Sequence, residues 1–523
     1  MAAKKLIRFL MGGMPLICMV VGLLLFGGIY SRAGATFPSP DFPPPSVGLN
    51  KFDLALQYLG RASGGKGQPQ YIRVERAMAR KAIADAQAAG VRYFRVAITG
   101  YGPSAYGRPN DLELWLEKPN QYWADMDSMM SDLKSHHIEI VPVFMFDVWQ
   151  FPAITHETIG DLINNPQSKS WHLLSKYVEE FITRYRGKHM IYMYEMTNEM
   201  NLLADLNIVK YCQRGKYPSA CGVRSNFTSQ ELIKFTQRFY DLIKSLDPSV
   251  PVSTGFSRPR PSAEHLEKNP AFIAGKPDWT ADSLAQSLDD LAAMNKYADV
   301  ISVHIYPHSK LGGISTSNPT KLIKVLENEA KKLNKPLFIG EFGAKNPNFS
   351  KGIKFIDEML TAIRRYHVPY SALWVWEFYQ KTIYSTYDTA PDSFNLEPGY
   401  TDSVIEQLRK TNAGFGFHVD PALLHPIVVI TYPLDCQNIK APVMVHAVAS
   451  ANGSQVTAVK FALDNDIFGS SASPPYRSKI PRALLAPGKH ELTAFVYASS
   501  GQSSHYSTTI EIGRHQSCTV PAP

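Results

Sequence analysis

The sequence predicts an α/β protein in which a closed (β/α)8 barrel of the TIM type precedes a smaller all-β sandwich. Three observations carry this reading. From residue 46 to about 412, short apolar runs alternate with long amphipathic ones. Eight such apolar runs can be counted. After about residue 425 the pattern changes to short alternating strands broken by Gly, Pro, Asn and Ser, with no long helix. Strands alternating with helices argue for a parallel sheet. Eight units over this length suit a closed barrel with long loops, with an open doubly wound sheet as the alternative.

The elements follow in chain order. Strands are expected at 46–50 (SVGLN), 91–98 (VRYFRVAI), 138–146 (IEIVPVFMF) and 190–196 (MIYMYEM). Four more are expected at 250–255 (VPVSTG), 299–306 (DVISVHIY), 335–341 (KPLFIGE) and 371–378 (SALWVWEF). Runs rich in Val, Ile, Tyr and Phe, bounded by turn residues, are the signal for each. Helices are expected between them, among others at 73–90, 173–187 and 228–247. The last opens on Thr228 with Glu231 three residues on, the pattern of a capping box. The barrel is assigned to 46–412, a linker to 413–425, an antiparallel sandwich to 426–515 and a tail to 516–523. IVVITYP, VMVHAVAS, TAVKFALDN and HELTAFVYAS are the sandwich strands.

The 523-residue chain carries a net charge of +8. Setting aside the four basic residues of 1–35 leaves 50 basic against 46 acidic side chains. That small, dispersed excess gives no support for nucleic acid as a partner, but it permits an acidic polymer as substrate. Lys4, Lys5 and Arg8 precede an apolar run from Phe9 to Tyr30, and an A-x-A-like site ends at Ala35. Residues 1–35 therefore read as an export segment, either a cleaved signal peptide or an uncleaved transmembrane anchor. The Pro-rich stretch 36–45 reads as an extended spacer. Either way the body lies outside the cytoplasm, secreted, periplasmic or tethered. Cys212 and Cys221 bracket one short loop, and Cys436 and Cys518 bracket the C-terminal segment. Four cysteines allow three connectivities. Proximity favours Cys212–Cys221 and Cys436–Cys518, in keeping with an oxidising compartment.

Two carboxylates give the function. Asn198-Glu199 falls just past the fourth predicted strand, and Glu341 closes the seventh in LFIGEFGA. In a β/α barrel, groups at strand C-terminal ends face the active-site mouth. Strands four and seven stand across that mouth from one another. Two carboxylates facing across a cleft are what glycoside hydrolysis requires: one gives a proton to the leaving oxygen, the other attacks or activates water.

On YEMTNEM and IGEFG the sequence resembles the clan A glycoside hydrolases, most closely family 5, the cellulase and mannanase family. The resemblance spans about 46–410. It implies that Glu199 is the acid/base and Glu341 the nucleophile of a retaining double displacement. It implies that Asn198 holds a sugar 2-hydroxyl. It also implies that Arg95, ending VRYFR, sits near Glu341 and favours its charged form. His304 and Tyr306, in SVHIYP, match a strand-six pair. Tyr306 would bond Glu341, and His304 would line the cleft near Glu199. Trp376, in WVWEF, matches a strand-eight sugar platform, with Trp374 as the alternative on the same face. Two departures stand out. Met200 follows the acid/base where the family has Pro. Strand three offers Phe144, Phe146, Asp147 and Trp149 where the family has His, so Asp147 and Trp149 become candidate substrate contacts on a loop. Glu195 is expected to be a buried, hydrogen-bonded structural residue.

Other patterns carry less. Gly60 to Lys66 fits G-x-x-x-x-G-K, but Gly67 stands where Ser or Thr is needed, so it reads as a mobile loop near the cleft. His136-His137, and His304 with His308, have no nearby carboxylate or Cys in the sequence to complete a metal set. No metal and no cofactor are expected. APVMVHAVAS, VKFALDN and PGKHELTAFVYAS resemble bacterial immunoglobulin-like modules, read as a spacer or, alternatively, a polysaccharide attachment module. The expected protein is an exported, monomeric endo-β-glycosidase acting on a polysaccharide of β-1,4-glucan or β-mannan type. Alternatives are an exopolysaccharide-processing glycosidase or transglycosylase, and a catalytically silent carbohydrate-binding relative.

Overall fold

The computed structural model describes residues 37–62, 68–102, 111–212, 220–308, 310–379, 393–513 and 520. The leader 1–35 lies outside them, as do most of the Gly60–Lys66 loop and Cys518. Residues Pro38–Pro523 form one compact unit.

Eight strands make one all-parallel sheet: β1 (Ser46–Asn50), β2 (Tyr93–Ala97), β3 (Glu139–Met145), β4 (Tyr194–Thr197), β5 (Val252–Ser253), β6 (Ile301–Ile305), β7 (Leu337–Phe342) and β8 (Tyr370–Leu373). Their order is β5-β4-β3-β2-β1-β8-β7-β6, so the chain order wraps round and meets itself between β5 and β6. No ladder joins those two, because β5 is only two residues long. Asp299 bridges the seam instead: its N–H donates to Val252 O at 2.8 Å, and its carboxylate accepts from Val252 N at 2.9 Å. The barrel is thus closed by one backbone and one side-chain hydrogen bond of Asp299 where the ladder stops. β4 and β8 are shorter than the sequence suggests. In front of β4, Ile191 makes only an isolated bridge to Ile140.

The helices form for local reasons. Thr228 caps Ser229–Leu246 with the reciprocal Thr228–Glu231 capping box. Ser168 caps Lys169–Tyr185. The helix Pro69–Ala88, here α1, starts on a proline whose missing N–H costs nothing in the first turn. The apolar faces of these helices bury against the barrel in one continuous core.

The C-terminal sandwich has strands β9 (Ile427–Tyr432), β10 (Gln437–Ile439), β11 (Met444–Ser450), β12 (Val456–Leu463), β13 (Asp466–Ser471), β14 (Tyr476–Lys479), β15 (Gly488–Ala498) and β16 (Ser503–Ile512). Sheets β9-β11-β14 and β10-β16-β15-β12-β13 face each other over their own core. All pairs are antiparallel except β10 with β16, a departure from the fully antiparallel expectation. The sandwich docks on α1. Val74 and Met78 pack with Val429 and Leu434. Arg73 pairs with Asp435 at 2.8 Å, and Ser450 donates to Asp85, which is also paired with Lys81. Among the described residues no helix is long and apolar enough to cross a membrane.

Candidate active site

Arg95 organises the mouth of the barrel. It is a fully buried guanidinium on β2. Nε donates to Glu195 at 2.6 Å, and Nη1 donates to Glu341 at 2.6 Å and to Asn50 Oδ1 at 3.0 Å. Nη2 donates to Asn198 Oδ1 at 2.8 Å. Burial alone would lower its pKa, but the Glu195 and Glu341 carboxylates overcome this and hold it above its ordinary value. One fixed fork therefore ties the ends of β1, β4 and β7 together. Asn50 completes the tie by donating to Gly340 O at 3.0 Å and Ala372 O at 3.2 Å. Glu195 is fully buried and also accepts from Ser253 at 3.0 Å, as expected of a structural carboxylate.

Glu341 is 5% exposed. Its second oxygen accepts from Tyr306 at 2.7 Å. Burial and the adjacent Glu341 carboxylate push the Tyr306 hydroxyl well up, so it stays protonated and donates. Glu199 faces this group from the end of β4, its side chain 33% exposed. Its backbone is in the left-handed region, at φ 50°, an uncommon state for a residue with a Cβ. Its N–H donates to Gly255 O at 2.9 Å. Gly255 itself has φ +73°, and a Cβ there would lie 1.7 Å from Thr197 O, so only glycine lets the β5 end press against the β4 end.

His304 lies between the two carboxylates, with Nδ1 at 3.0 Å from Glu199 and 3.4 Å from Glu341. One oxygen of each carboxylate and the His304 nitrogen all lie within 4.8 Å of one another. Burial pushes the Glu199 carboxyl up. Hydrogen bonds from His304 and Ser257, with the charges of His304 and Arg95, outweigh burial and hold it below the usual carboxylate range. Asn198 accepts from Arg95 through its amide oxygen, which leaves its NH2 as the end for a ligand hydroxyl. The fold therefore brings Glu199, Glu341, Arg95, Asn198, His304 and Tyr306 into one constellation.

Three expectations change. Trp376 is fully buried, and its Nε1 donates to Ala82 O of α1 at 2.9 Å, so its ring sits between strand and helix and offers no sugar platform. β8 ends at Leu373, so the two-residue alternation that put Trp374 and Trp376 on one face does not extend to them. Trp374 is the half-buried one, stacked on Phe52 at 5.0 Å with Phe146 beyond. Arg95 lies 5.8 Å over the Phe146 ring, which puts Trp374 beside the constellation. Trp149 is 3% exposed and packs in the barrel core, so no face of its ring is free for a sugar. Asp147, 5% exposed, accepts from Trp149 N at 3.0 Å and holds the turn after β3. His304, for which the sequence shows no carboxylate nearby, is flanked by two of them in the fold. The chemistry of the donors still opposes a divalent cation, because a guanidinium and a phenol already occupy Glu341.

Trp376→Ala should cost about 3–5 kcal/mol of stability, as core tryptophans do. Trp374→Ala should instead raise KM about threefold to tenfold in a normally stable protein. Thermal melts and kinetics on both variants check this, and a KM effect confined to Trp376→Ala would reverse the assignment.

Asn50, Ser257 and Trp374 join the site beyond the primary expectations. Asn50 had a signal, a polar residue ending an apolar strand. Ser257 had none. Cys221 and Cys436 are each disulfide-bonded, while Cys518 and the side chain of Cys212 lie outside the described residues.

Two family profiles match the chain. The profile of the family "Cellulase (glycosyl hydrolase family 5)" matches residues 75–380, more than half of the chain. That of "Bacterial Ig domain" matches 426–494. Similar solved structures include the endo-β-1,4-mannanase of Thermotoga petrophila, at 15% identity over 90% of this chain and 98% of that one, with a TM-score of 0.45. Another is a glycoside hydrolase family 5 mannosidase of Rhizomucor miehei, at 14% identity over 72% of this chain and 94% of that one, with a TM-score of 0.48. No curated protein matches the chain.

Proposed function

Because this chain belongs to the cellulase family, glycosyl hydrolase family 5, we propose that this glycoside hydrolase is a retaining endo-β-glycosidase of a polysaccharide, with a β-1,4-glucan or β-mannan backbone. The observation that carries the reading is the closeness of the two carboxylates, with an oxygen of each inside 4.8 Å. Retaining enzymes hold their carboxyl groups about 5–5.5 Å apart, whereas inverting ones leave about 6.5–9.5 Å for a water.

In the first step a Glu341 oxygen attacks the anomeric carbon while Glu199 gives its proton to the glycosidic oxygen. The bond breaks, the leaving chain departs, and a glycosyl ester of Glu341 remains. Glu199, now a carboxylate, takes a proton from water as the water oxygen attacks the same carbon and releases Glu341. Asn198 offers its NH2 to the sugar 2-hydroxyl, and Tyr306 and Arg95 hold Glu341 in line. No cofactor takes part in these steps. Following the first-formed product by proton NMR tests the reading: a product that keeps the β configuration agrees with it, and an α product overturns it.

His304 supplies a second test. Its hydrogen bond and charge favour the ionised form of Glu199, whereas the acid works protonated. His304→Ala should therefore raise the Glu199 pKa and move the alkaline limb of kcat/KM up by about one to two pH units. A limb that stays in place would sink the role of Glu199 as the acid.

The family and the C-terminal bacterial Ig domain agree with export. We infer that residues 1–35 direct it, and that Cys221 is bonded to Cys212 and Cys436 to Cys518. The intact mass of the exported chain reads the first, since a chain beginning after Ala35 was cleaved and a full-length one is tethered; a non-reducing peptide map reads the second, and disulfide-linked peptides other than these two refute the pairing. The sandwich serves as a docked support for α1.

A further inference from the structure

The segment after β5 reads Gly255-Phe256-Ser257-Arg258-Pro259-Arg260-Pro261 and runs beside the acid/base. Gly255 O accepts from Glu199 N at 2.9 Å. Ser257 N donates to Asn201 Oδ1 at 3.1 Å, and Asn201 returns a bond to Ser257 O at 2.8 Å. Arg260 donates to Leu202 O. Arg258 lies between these anchors. A proline follows Arg258 and another follows Arg260, which restricts the backbone at both arginines.

Arg258 is mostly buried, and its Nε is sealed from solvent without a hydrogen-bond partner. Among the described residues its guanidinium has no ion pair. The Nε of Arg238 is sealed in the same way, but among the described residues Arg95, Arg76 and Arg238 each have partners for the rest of the guanidinium. Arg95 and Arg76 are paired with carboxylates. Arg238 donates to Leu162 O at 2.9 Å and stacks on Trp171 at 4.4 Å. Burial pushes the Arg258 pKa down, and the charge that acts against this is the Glu199 carboxylate. That compensation disappears when Glu199 takes up the proton it needs as an acid. A buried cation without a counter-charge is costly, and an arginine fork is suited to two oxygens of an anion.

We propose that Arg258 receives an anionic substituent, a carboxylate or a sulfate ester, carried by a sugar next to the cleaved bond, which makes the substrate an acidic polysaccharide. The proposal rests on the hydrolase reading above and narrows it. The next residues outward suit the same ligand. Arg260 lies 5.8 Å over the ring of Trp279, which is 55% exposed, so a second cation and a flat apolar face continue the track from Glu199. Outside the leader, 50 basic against 46 acidic side chains leave a net charge of +4, which permits a polyanion.

Three soluble celluloses with one backbone test this: hydroxyethyl cellulose (neutral), carboxymethyl cellulose (carboxylate) and cellulose sulfate. Binding is measured with Glu341→Ala protein, which leaves the polymers intact, and cleavage with the wild type by new reducing ends. The expected result is at least tenfold tighter binding of one anionic polymer than of the neutral one at low salt. That preference should shrink in 0.5 M salt (roughly a 4 Å screening length) and vanish in the Glu341→Ala/Arg258→Gln double variant. The anion preferred names the substituent. A preference that survives Arg258→Gln belongs to the basic surface at large and overturns the proposal. So does equal binding, or no binding, of all three. Discriminating binding without new reducing ends from any of these polymers, or from a β-mannan run alongside them, would refute the hydrolase reading and leave the anion site standing. Cleavage of the neutral polymer with no discrimination would do the reverse.

Discussion

Glu341→Ala should reduce kcat on the order of 10⁴-fold or more, while the folded protein still binds polysaccharide. The size follows from what the carboxylate does. In the proposed mechanism it forms the covalent bond to the anomeric carbon, and among the described residues no other side chain is placed to take over: Tyr306 and Arg95 both point donors at Glu341, and Glu199 must deliver the proton. Binding survives because the cleft walls and Asn198 are untouched, and truncating a residue of this size removes little contact area. The variant also permits a chemical rescue. Azide fits the vacated space and can attack the anomeric carbon from the Glu341 side, with Glu199 still protonating the leaving oxygen. The product is then a glycosyl azide of inverted configuration. Recovery of activity with azide, and that product, would mark Glu341 as the nucleophile. Full activity without azide would remove it from the mechanism, and loss of binding along with turnover would recast it as structural.

Much of this was legible in the sequence because two signals are local. A charged residue inside an apolar strand is conspicuous, and Arg95 is one. Carboxylates ending the fourth and seventh apolar runs are conspicuous once eight runs are counted. What failed was the extension of period-two reasoning beyond real strands. WVWEF looks like continued alternation, but β8 stops at Leu373, and Trp376 ends up against α1. The position of Trp149 after the third predicted strand points to a loop contact, yet the residue packs in the core. Ser257 and Arg258 had no signal at all. They lie in an irregular segment whose position depends on Gly255 fitting against Thr197 O, a contact between residues 58 apart in the chain. The pairing of His304 with both carboxylates was hidden for the same reason: metal-like spacing is sought along the chain, whereas the barrel assembles these groups from β4, β6 and β7.

Arg95→Met should abolish activity and also destabilise the fold by about 3–5 kcal/mol, the usual consequence of breaking a buried ion pair from one side. Methionine keeps much of the side-chain volume but leaves Glu195 and Glu341 without their shared counter-charge. The two losses can be separated, because the two carboxylates are in different places. Glu195 is fully buried below the strand end, and its other side-chain partner among the described residues is Ser253. Glu341 is at the cleft and keeps Tyr306. Converting Glu195 to Gln in the Arg95→Met background removes the more deeply buried unpaired charge and should restore a large part of the lost stability. It should restore no activity, because Glu341 and Asn198 still lack the guanidinium that fixes their geometry. Chemical denaturation and kcat/KM on the single and double variants provide the measurement. If Glu195→Gln revives turnover along with stability, Arg95 acts only as a structural clamp on Glu195. If it revives neither, the cost lies in the bonds to Asn50 and Asn198 rather than in unpaired charge.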